Sequence, residues 1–319
     1  MTRRSALTLA AAAAQAQAPR PPRLQTWKPK LGILGRFSEA NLEFARQEGF
    51  QSIGLWADRK TKLDAATPPG DQLVQTVKSA LQRAGLHLSV VASVQNHVAP
   101  DPAARAAAND YFRNVITLAG HLGVPYVGTS SGTMPGRPLD EQVGEIARVY
   151  TERYFPLCQK HKVRILWEPW AGGPNIATGP VGYEALFKAF GDSPYVGLQY
   201  DPSHLVWQMM DPIQCARDFA GKIYDIHLKD TEILGPVLRK TGINPLNNAR
   251  WWRFRLPGFG AIDWPAFFTV LMEAGFEGAM NIEHEDTLYG WPYPGDEFSE
   301  EYKTGFRIAH RYLRQFLPV

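Results

Sequence analysis

The strongest constraint in this sequence is an alternation that starts near Lys30 and runs to the end of the chain. Short apolar runs, too brief to be helices, take turns with longer stretches that carry apolar residues every three or four positions. The runs are Leu31–Leu34, Ser52–Trp56, Leu88–Ala92, Tyr126–Thr129, Val163–Trp167, Val196–Tyr200, Ile223–Ile226 and Ala279–Ile282. Each is bounded by Gly, Pro, Asp, Asn or another polar break, and each predicts a buried strand. The stretches 41–48, 72–84, 103–122, 139–161, 183–190, 212–219, 265–274 and 300–316 predict amphipathic helices. Several of these stop at a glycine, as at Gly49, Gly85 and Gly275. Eight strands, each followed by a helix, match one α/β domain, a single (β/α)8 TIM barrel. A doubly wound open sheet would normally carry a glycine-rich first turn. Here the first strand leads into Gly35-Arg36-Phe37-Ser38, with no GxGxxG.

The 319 residues divide into residues 1–18 as a signal peptide, 19–29 as a linker, and 30–319 as the barrel. Thr2-Arg3-Arg4 gives a positive start, Ser5 to Ala14 a short Ala/Leu-rich core, and Ala14 to Ala18 small-residue cleavage sites. The arginine pair makes the segment twin-arginine-like and predicts an exported, periplasmic protein. A disordered Ala-rich tail is the plainer alternative. The apolar run is far shorter than the roughly 20 residues that a membrane-spanning helix needs, so no membrane association is expected once the signal is removed. A net charge of +3 with no run of five like charges gives no nucleic-acid footprint. Cys158 and Cys215 fall in separate predicted helices, without metal-ligand spacing, and predict two buried free thiols.

Chemistry is expected where the strands finish, because barrel enzymes build their sites at the C-terminal ends of the strands. The fifth run ends in Trp167-Glu168-Pro169-Trp170 and the sixth in Tyr200-Asp201-Pro202-Ser203-His204. The seventh ends in Ile226-His227-Leu228-Lys229-Asp230, and the eighth in Ile282-Glu283-His284-Glu285. Glu168, Asp201, His227 and Glu283 are separated in turn by 33, 26 and 56 residues, the last interval being one repeat plus a long segment. Any one carboxylate here would serve as a helix N-cap, and Asp201-Pro202 has that form. Four in succession point instead to a metal site. Three carboxylates and one imidazole suit one divalent ion, Mn²⁺ first, with Mg²⁺, Co²⁺ or Zn²⁺ as alternatives. The cation would also relieve the mutual repulsion of three clustered carboxylates.

The series Glu…Asp-Pro-Ser-His…His-Leu-Lys-Asp…Gly-Phe-Gly-x-Ile-Asp-Trp…Ile-Glu-His-Glu resembles the xylose-isomerase-like barrel superfamily. Within it, the pattern is most similar to the sugar phosphate isomerases/epimerases, which include tagatose and allulose epimerases and inosose dehydratases. The likeness covers the chain from Lys30 onward and is most specific after Leu166. It implies that Glu168, Asp201, His227 and Glu283 are the metal ligands. It also implies that Glu168 and Glu283 exchange protons with substrate from opposite faces, and that His204 contacts a substrate hydroxyl. In the ketose epimerases an arginine shortly after the metal histidine helps to bind substrate. None occurs between Leu228 and Leu234, so Lys229 is the nearest cation, with Arg253 or Arg255 as substitutes from the long segment between His227 and Trp264.

That long segment carries Trp251-Trp252-Arg253-Phe254-Arg255 and predicts an ordered lid. Further substrate contacts are expected from His97 and Asn96 after the third strand, and from Trp170. Trp56, Trp207, Trp251, Trp252 and Trp291 are candidates for the mouth, where flat rings pack on sugar C–H faces. Asp230 and Asp263 are expected to be loop structure or caps. The leading functional expectation is a metal-dependent isomerase or epimerase that acts through an enediolate on a non-phosphorylated sugar or keto-sugar. A 3-keto-glycoside lyase, hydrolase or dehydratase using the same site is the alternative, and an exported sugar-binding protein is the non-enzyme one. An abasic-site endonuclease on a related barrel would need several more histidines at strand ends, where only His97, His204 and His284 are available. A homo-oligomer remains open.

Overall fold

The computed structural model describes residues 27–191 and 193–318. The segment read as a signal peptide and most of the linker therefore lie outside the described residues. Eight parallel strands close into a barrel: β1 (Lys30–Arg36), β2 (Ser52–Trp56), β3 (His87–Ala92), β4 (Tyr126–Thr129), β5 (Arg164–Trp167), β6 (Val196–Tyr200), β7 (Ile223–Leu228) and β10 (Ala279–Ile282). The closing pair is β1 with β10, in the register Lys30↔Ala279 to Ile33↔Ile282. Two further strands, β8 (Asp230–Ile233) and β9 (Trp252–Arg255), form an antiparallel ribbon outside the barrel.

Helices pack around this cylinder: α1 (Glu39–Gln47), α2 (Asp71–Ala84), α3 (Pro102–Leu122), α4 (Leu139–Val149), α5 (Phe155–His161), α6 (Pro180–Phe190), α7 (Pro202–Trp207), α8 (Pro212–Asp218), α9 (Gly235–Thr241), α10 (Trp264–Glu273) and α11 (Glu300–Arg314). Their starts follow local chemistry. Ser38, Asp101 and Asp263 accept backbone N–H bonds as N-caps, and Pro102 and Pro265 stand in the first turns where no N–H is needed. Gly85 ends α2 at φ 65°, a left-handed conformation that a side chain would resist.

The single helix expected over 139–161 is interrupted. A π-helical turn at Tyr150–Tyr154 separates α4 from α5. Pro156 lacks the N–H that would continue a regular ladder, and the wider turn keeps the rings of Tyr150 and Tyr154 both fully buried.

The fold also reaches back into the segment read as a linker. Trp27 is 1% exposed, donates its indole N–H to Phe276 O at 2.7 Å and meets Phe268 edge-on. It ties the segment before β1 to α10 and to the turn that leads into β10. Inside the cylinder lies a polar layer. Asp225 accepts from Gln199 at 2.8 Å and from Asn281 at 3.1 Å, and Asn281 also donates to Ser89 at 2.9 Å. A side chain at Gly128 would collide with Gln199, so the glycine makes room for this network. Burial raises the Asp225 carboxyl to about 7 against the opposing pull of His227. The candidate site sits immediately above this layer.

Candidate active site

Glu168, Asp201 and Glu283 each stand one residue beyond the end of β5, β6 and β10, and His227 is the penultimate residue of β7. Closure of the barrel therefore brings four residues that are distant in sequence onto one rim. One ligand-type atom from each lies within 4.8 Å of all the others, and all four residues are buried. The Nδ1 of His227 faces the carboxylates, 3.0 Å from Glu168 Oε1 and 3.1 Å from Glu283 Oε2. Asp201 is both cap and cluster member. Its Oδ1 accepts from the Ser203 N–H at 2.8 Å, and its Oδ2 turns toward the cluster. That Oδ2 and His227 Nε2 have no hydrogen-bond partner. Lys229 and His204 approach Asp201 Oδ2 to 3.0 and 3.4 Å, but without hydrogen-bond alignment.

An unsatisfied buried carboxylate oxygen, two further buried carboxylates and an inward imidazole nitrogen form a donor set that fits a divalent cation. The charges within the cluster show the same demand. Burial alone would push the Glu168 carboxyl up, yet His227, His204 and Lys229 hold it well below the usual range. Burial alone would push the His227 imidazole down, yet the Glu283 and Glu168 carboxylates hold it well above the usual histidine range. In this arrangement positive side chains fill the role a cation would play.

Lys229 is brought to the site, though not as a free substrate contact. Its ammonium is buried, 2.5 Å from Glu283 Oε2 and 2.9 Å from Glu285 Oε2, and stands 4.4 Å over the Phe254 ring. His204 lies between ligand group and cavity. Its Nδ1 accepts from the Trp207 indole at 3.3 Å, which leaves Nε2 to carry the proton toward Glu168 Oε1 at 3.3 Å. A cavity of about 360 Å³ opens above, lined by Glu168, His204, Lys229, Glu283 and Glu285 at its base. Trp56, Trp170, Trp207, Trp252, Phe254 and Trp291 form its walls.

Several expected contacts are corrected. His97 does not face substrate: it is fully buried, with Nδ1 2.9 Å from Tyr154 Oη and Nε2 3.1 Å from Thr129 Oγ1. Burial lowers its pKa to about 3, so it is a neutral brace under the β4 end. Asn96 is likewise a brace, donating to Thr133 O at 3.0 Å. Arg255 is not a cavity cation: it pairs with Glu232 of the ribbon at 2.5 Å and with Asp286, in the loop after β10, at 2.8 Å. Trp251 turns away and donates to Ile243 O. The lid expected between His227 and Trp264 is the β8–β9 ribbon, whose Trp252 and Phe254 supply one wall. Asp230 and Asp263 are structural, as expected: Asp230 accepts from Trp264 Nε1 at 2.9 Å, and Asp263 caps α10. Of the three other strand-end histidines, only His204 lines the cavity; His284 stacks on Tyr302 at 4.0 Å.

Glu285 is a functional candidate that the strand-end pattern alone did not single out. It is a cavity carboxylate outside the four-residue group, tied to Lys229. Its position two residues after Glu283 on an alternating strand end was the available signal. Cys158 and Cys215 are buried free thiols.

A model of the xylose isomerase-like TIM barrel family matches residues 42–315. Among curated relatives, the chain is 32% identical to the Bacillus subtilis protein YfiH over 209 residues, 56% of this chain and 64% of that one. It is 34% identical to an inosose dehydratase of Clostridium tetani over 95 residues, 30% of this chain and 32% of the relative. In each case the match spans less than two thirds of the relative's length. Among solved structures, the Escherichia coli 3-keto-D-glucoside 4-epimerase superposes with TM-score 0.65 at 15% identity, covering 90% of this chain and 100% of that one. A xylose isomerase domain protein from Planctomyces limnophilus gives 0.64 at 19% identity, covering 91% and 97%. At such identities these two likenesses bear on the fold alone.

Proposed function

The chain belongs to the xylose isomerase-like TIM barrel family, whose neighbours here are epimerases, isomerases and dehydratases, and we propose that it is a divalent-metal-dependent isomerase or epimerase of a non-phosphorylated sugar or keto-sugar. The observation that carries this reading is the four-residue cluster, with ligand atoms within 4.8 Å of one another, at the base of an aromatic-walled cavity. Glu168, Asp201, His227 and Glu283 would hold the ion, of which Mn²⁺ is the first candidate. A divalent ion there would polarise a substrate carbonyl and favour the enediolate formed when the neighbouring C–H proton leaves.

The chain supplies the rest. A carboxylate of Glu168 or Glu283 takes the proton from carbon, and the other is placed to return one. Return to the opposite face at the same carbon is epimerisation; return to the neighbouring carbon is isomerisation. The His204 Nε2–H is placed to bind a substrate hydroxyl, with Trp207 fixing its tautomer. Trp170 and the ribbon wall offer flat faces to sugar C–H groups and narrow the access of water.

Elimination is a second reading, as a dehydratase or as a 3-keto-glycoside lyase. Glu285 favours it: burial raises this extra carboxyl against the pull of Lys229, and its protonated form, beside the cluster rather than in it, is placed to give a proton to a departing oxygen while a cluster carboxylate takes the C–H proton. The relatives named inosose dehydratase support the same class. The N-terminal arginine pair and Ala-rich run support export as part of the proposal.

Hydrogen–deuterium exchange tests both readings. Mn²⁺-loaded protein in D₂O, with free ketoses and 3-keto-glycosides, is expected to place deuterium at the carbon beside the carbonyl. Glu283→Gln is expected to abolish it. Epimer or isomer products would support the first reading and unsaturated products the second; no exchange with any substrate would overturn both.

A further inference from the structure

A second, smaller lobe of about 180 Å³ adjoins the main cavity, and the chemistry above leaves it unused. The two lobes share Trp56, Glu283, Glu285 and Trp291 as lining residues. The polar groups peculiar to the smaller lobe come from the first two strand ends. Arg36 is the last residue of β1, and Asp58 stands two residues beyond Trp56, the last of β2. Arg36 and Trp56 are partners in the β1–β2 register, so the two strand ends stand side by side and deliver both charged groups to one place.

Both groups have hydrogen-bonding capacity that the protein does not use. The Arg36 guanidinium stands 5.3 Å over the Tyr293 ring and donates through Nη1 to Gly295 O, which fixes its plane. Among the described residues its remaining N–H groups have no partner and it forms no ion pair. Asp58 is half-buried, and among the described residues its carboxylate accepts no hydrogen bond and lies in no ion pair. Burial pushes the Asp58 carboxyl up to about 6, against the pull of Arg36. A carboxylate partly withdrawn from water and given no donor by the protein gains from any donor that a ligand brings.

We propose that Arg36 and Asp58 form a substrate subsite that binds a pair of neighbouring hydroxyl groups at the end of the sugar remote from the reacting carbons. The Asp58 carboxylate accepts from the hydroxyls, and the free Arg36 N–H groups donate to their oxygens. Trp56 and Trp291, which line both lobes, flank the carbon chain that joins the two ends. This rests on the sugar chemistry proposed above and adds the residues that fix which way round the substrate lies.

The test is calorimetric binding to the Mn²⁺-loaded full chain. The probes are D-fructose, D-psicose, D-tagatose and D-sorbose, followed by the 5,6-dideoxy analogue of whichever binds most tightly, which lacks the terminal hydroxyl pair. The parent is expected to bind that ketose about tenfold or more tightly than its analogue, as for loss of a hydrogen bond to a charged group. Asp58→Ala is expected to reduce the ratio to near one by weakening the ketose and not the analogue; comparing ratios cancels differences between the free sugars. Asp58→Asn, which keeps the shape and loses the charge, is expected to lower the ratio about threefold or more if Asp58→Ala does not fold. A parent ratio near one, a ratio untouched in the folded variants, or binding of none of the four ketoses would overturn the proposal. Binding is read without turnover, so such a failure would leave the isomerase reading to be decided by deuterium exchange. Discrimination between ketose and analogue without exchange on any substrate would overturn that reading instead.

Discussion

Replacing Lys229 by methionine removes one positive charge while keeping most of the side-chain volume. The ammonium is 1% exposed and lies 3.0 Å from Asp201 Oδ2, 2.5 Å from Glu283 Oε2 and 2.9 Å from Glu285 Oε2. Burial opposes its charge, but the Asp201, Glu283 and Glu285 carboxylates outweigh burial and hold it well above the usual lysine range. It is therefore a fixed countercharge for three carboxylates. Stripping one partner from a buried ion pair costs about 3–5 kcal/mol. For a domain of this size that is a fall in Tm of about 5–8 °C. Thermal unfolding of parent and Lys229→Met would be compared in chelator and in saturating Mn²⁺. The deficit is expected in full with chelator, and to shrink by more than half with metal, because the ion supplies the missing charge. A variant within 2 °C of the parent in chelator, or a deficit that metal leaves unchanged, would refute this assignment of charge.

Other predictions rest on the same geometry. His97 is held neutral, with a pKa near 3 against an ordinary 6.5, so the unfolded chain binds a proton first and stability falls as pH drops below 6.5. The loss is about 1.4 kcal/mol per pH unit, up to roughly 5 kcal/mol by pH 3; urea titrations from pH 7 to 4 should show His97→Gln losing that slope, whatever its stability at pH 7. Trp27→Ala should cost about 3–5 kcal/mol by chemical denaturation, and a loss under 1 kcal/mol would mean the indole does not anchor the segment before β1. Glu285→Gln should slow any elimination relative to C–H exchange by about 10²–10⁴-fold, read from product ratios by NMR. If the first residues direct export, a periplasmic fraction should contain a chain shortened near Ala18, and replacing Arg3 and Arg4 by lysine should retain the full-length chain in the cytoplasm.

Much of this architecture was legible in the chain because strand and helix periods alternate cleanly. All eight barrel runs became strands, with boundaries shifted by at most two residues. The four candidate ligands were legible for the same reason, since a barrel's topology fixes where strand ends point. What escaped depends on contacts across the fold. The six-residue α7 is too short to show a helical period. His97 follows a strand as a substrate contact would, but its partners come from the β4 end and from the π turn at Tyr154. Arg253 and Arg255 share one face of the ribbon, and Glu232, paired with Arg253 in register across β8, takes both. The alternation Trp252-Arg253-Phe254-Arg255 was itself a strand signal inside a segment long enough to suggest a loop.

The central claim is that Glu168, Asp201, His227 and Glu283 hold one divalent ion on which the chemistry depends. The most direct measurement is Mn²⁺ binding to the purified chain by calorimetry and electron paramagnetic resonance, repeated for Glu168→Gln, Asp201→Asn, His227→Gln and Glu283→Gln. The account predicts one ion per chain, with affinity at least tenfold weaker in every variant. Undiminished binding in folded variants, or no stoichiometric binding by the parent, would contradict it.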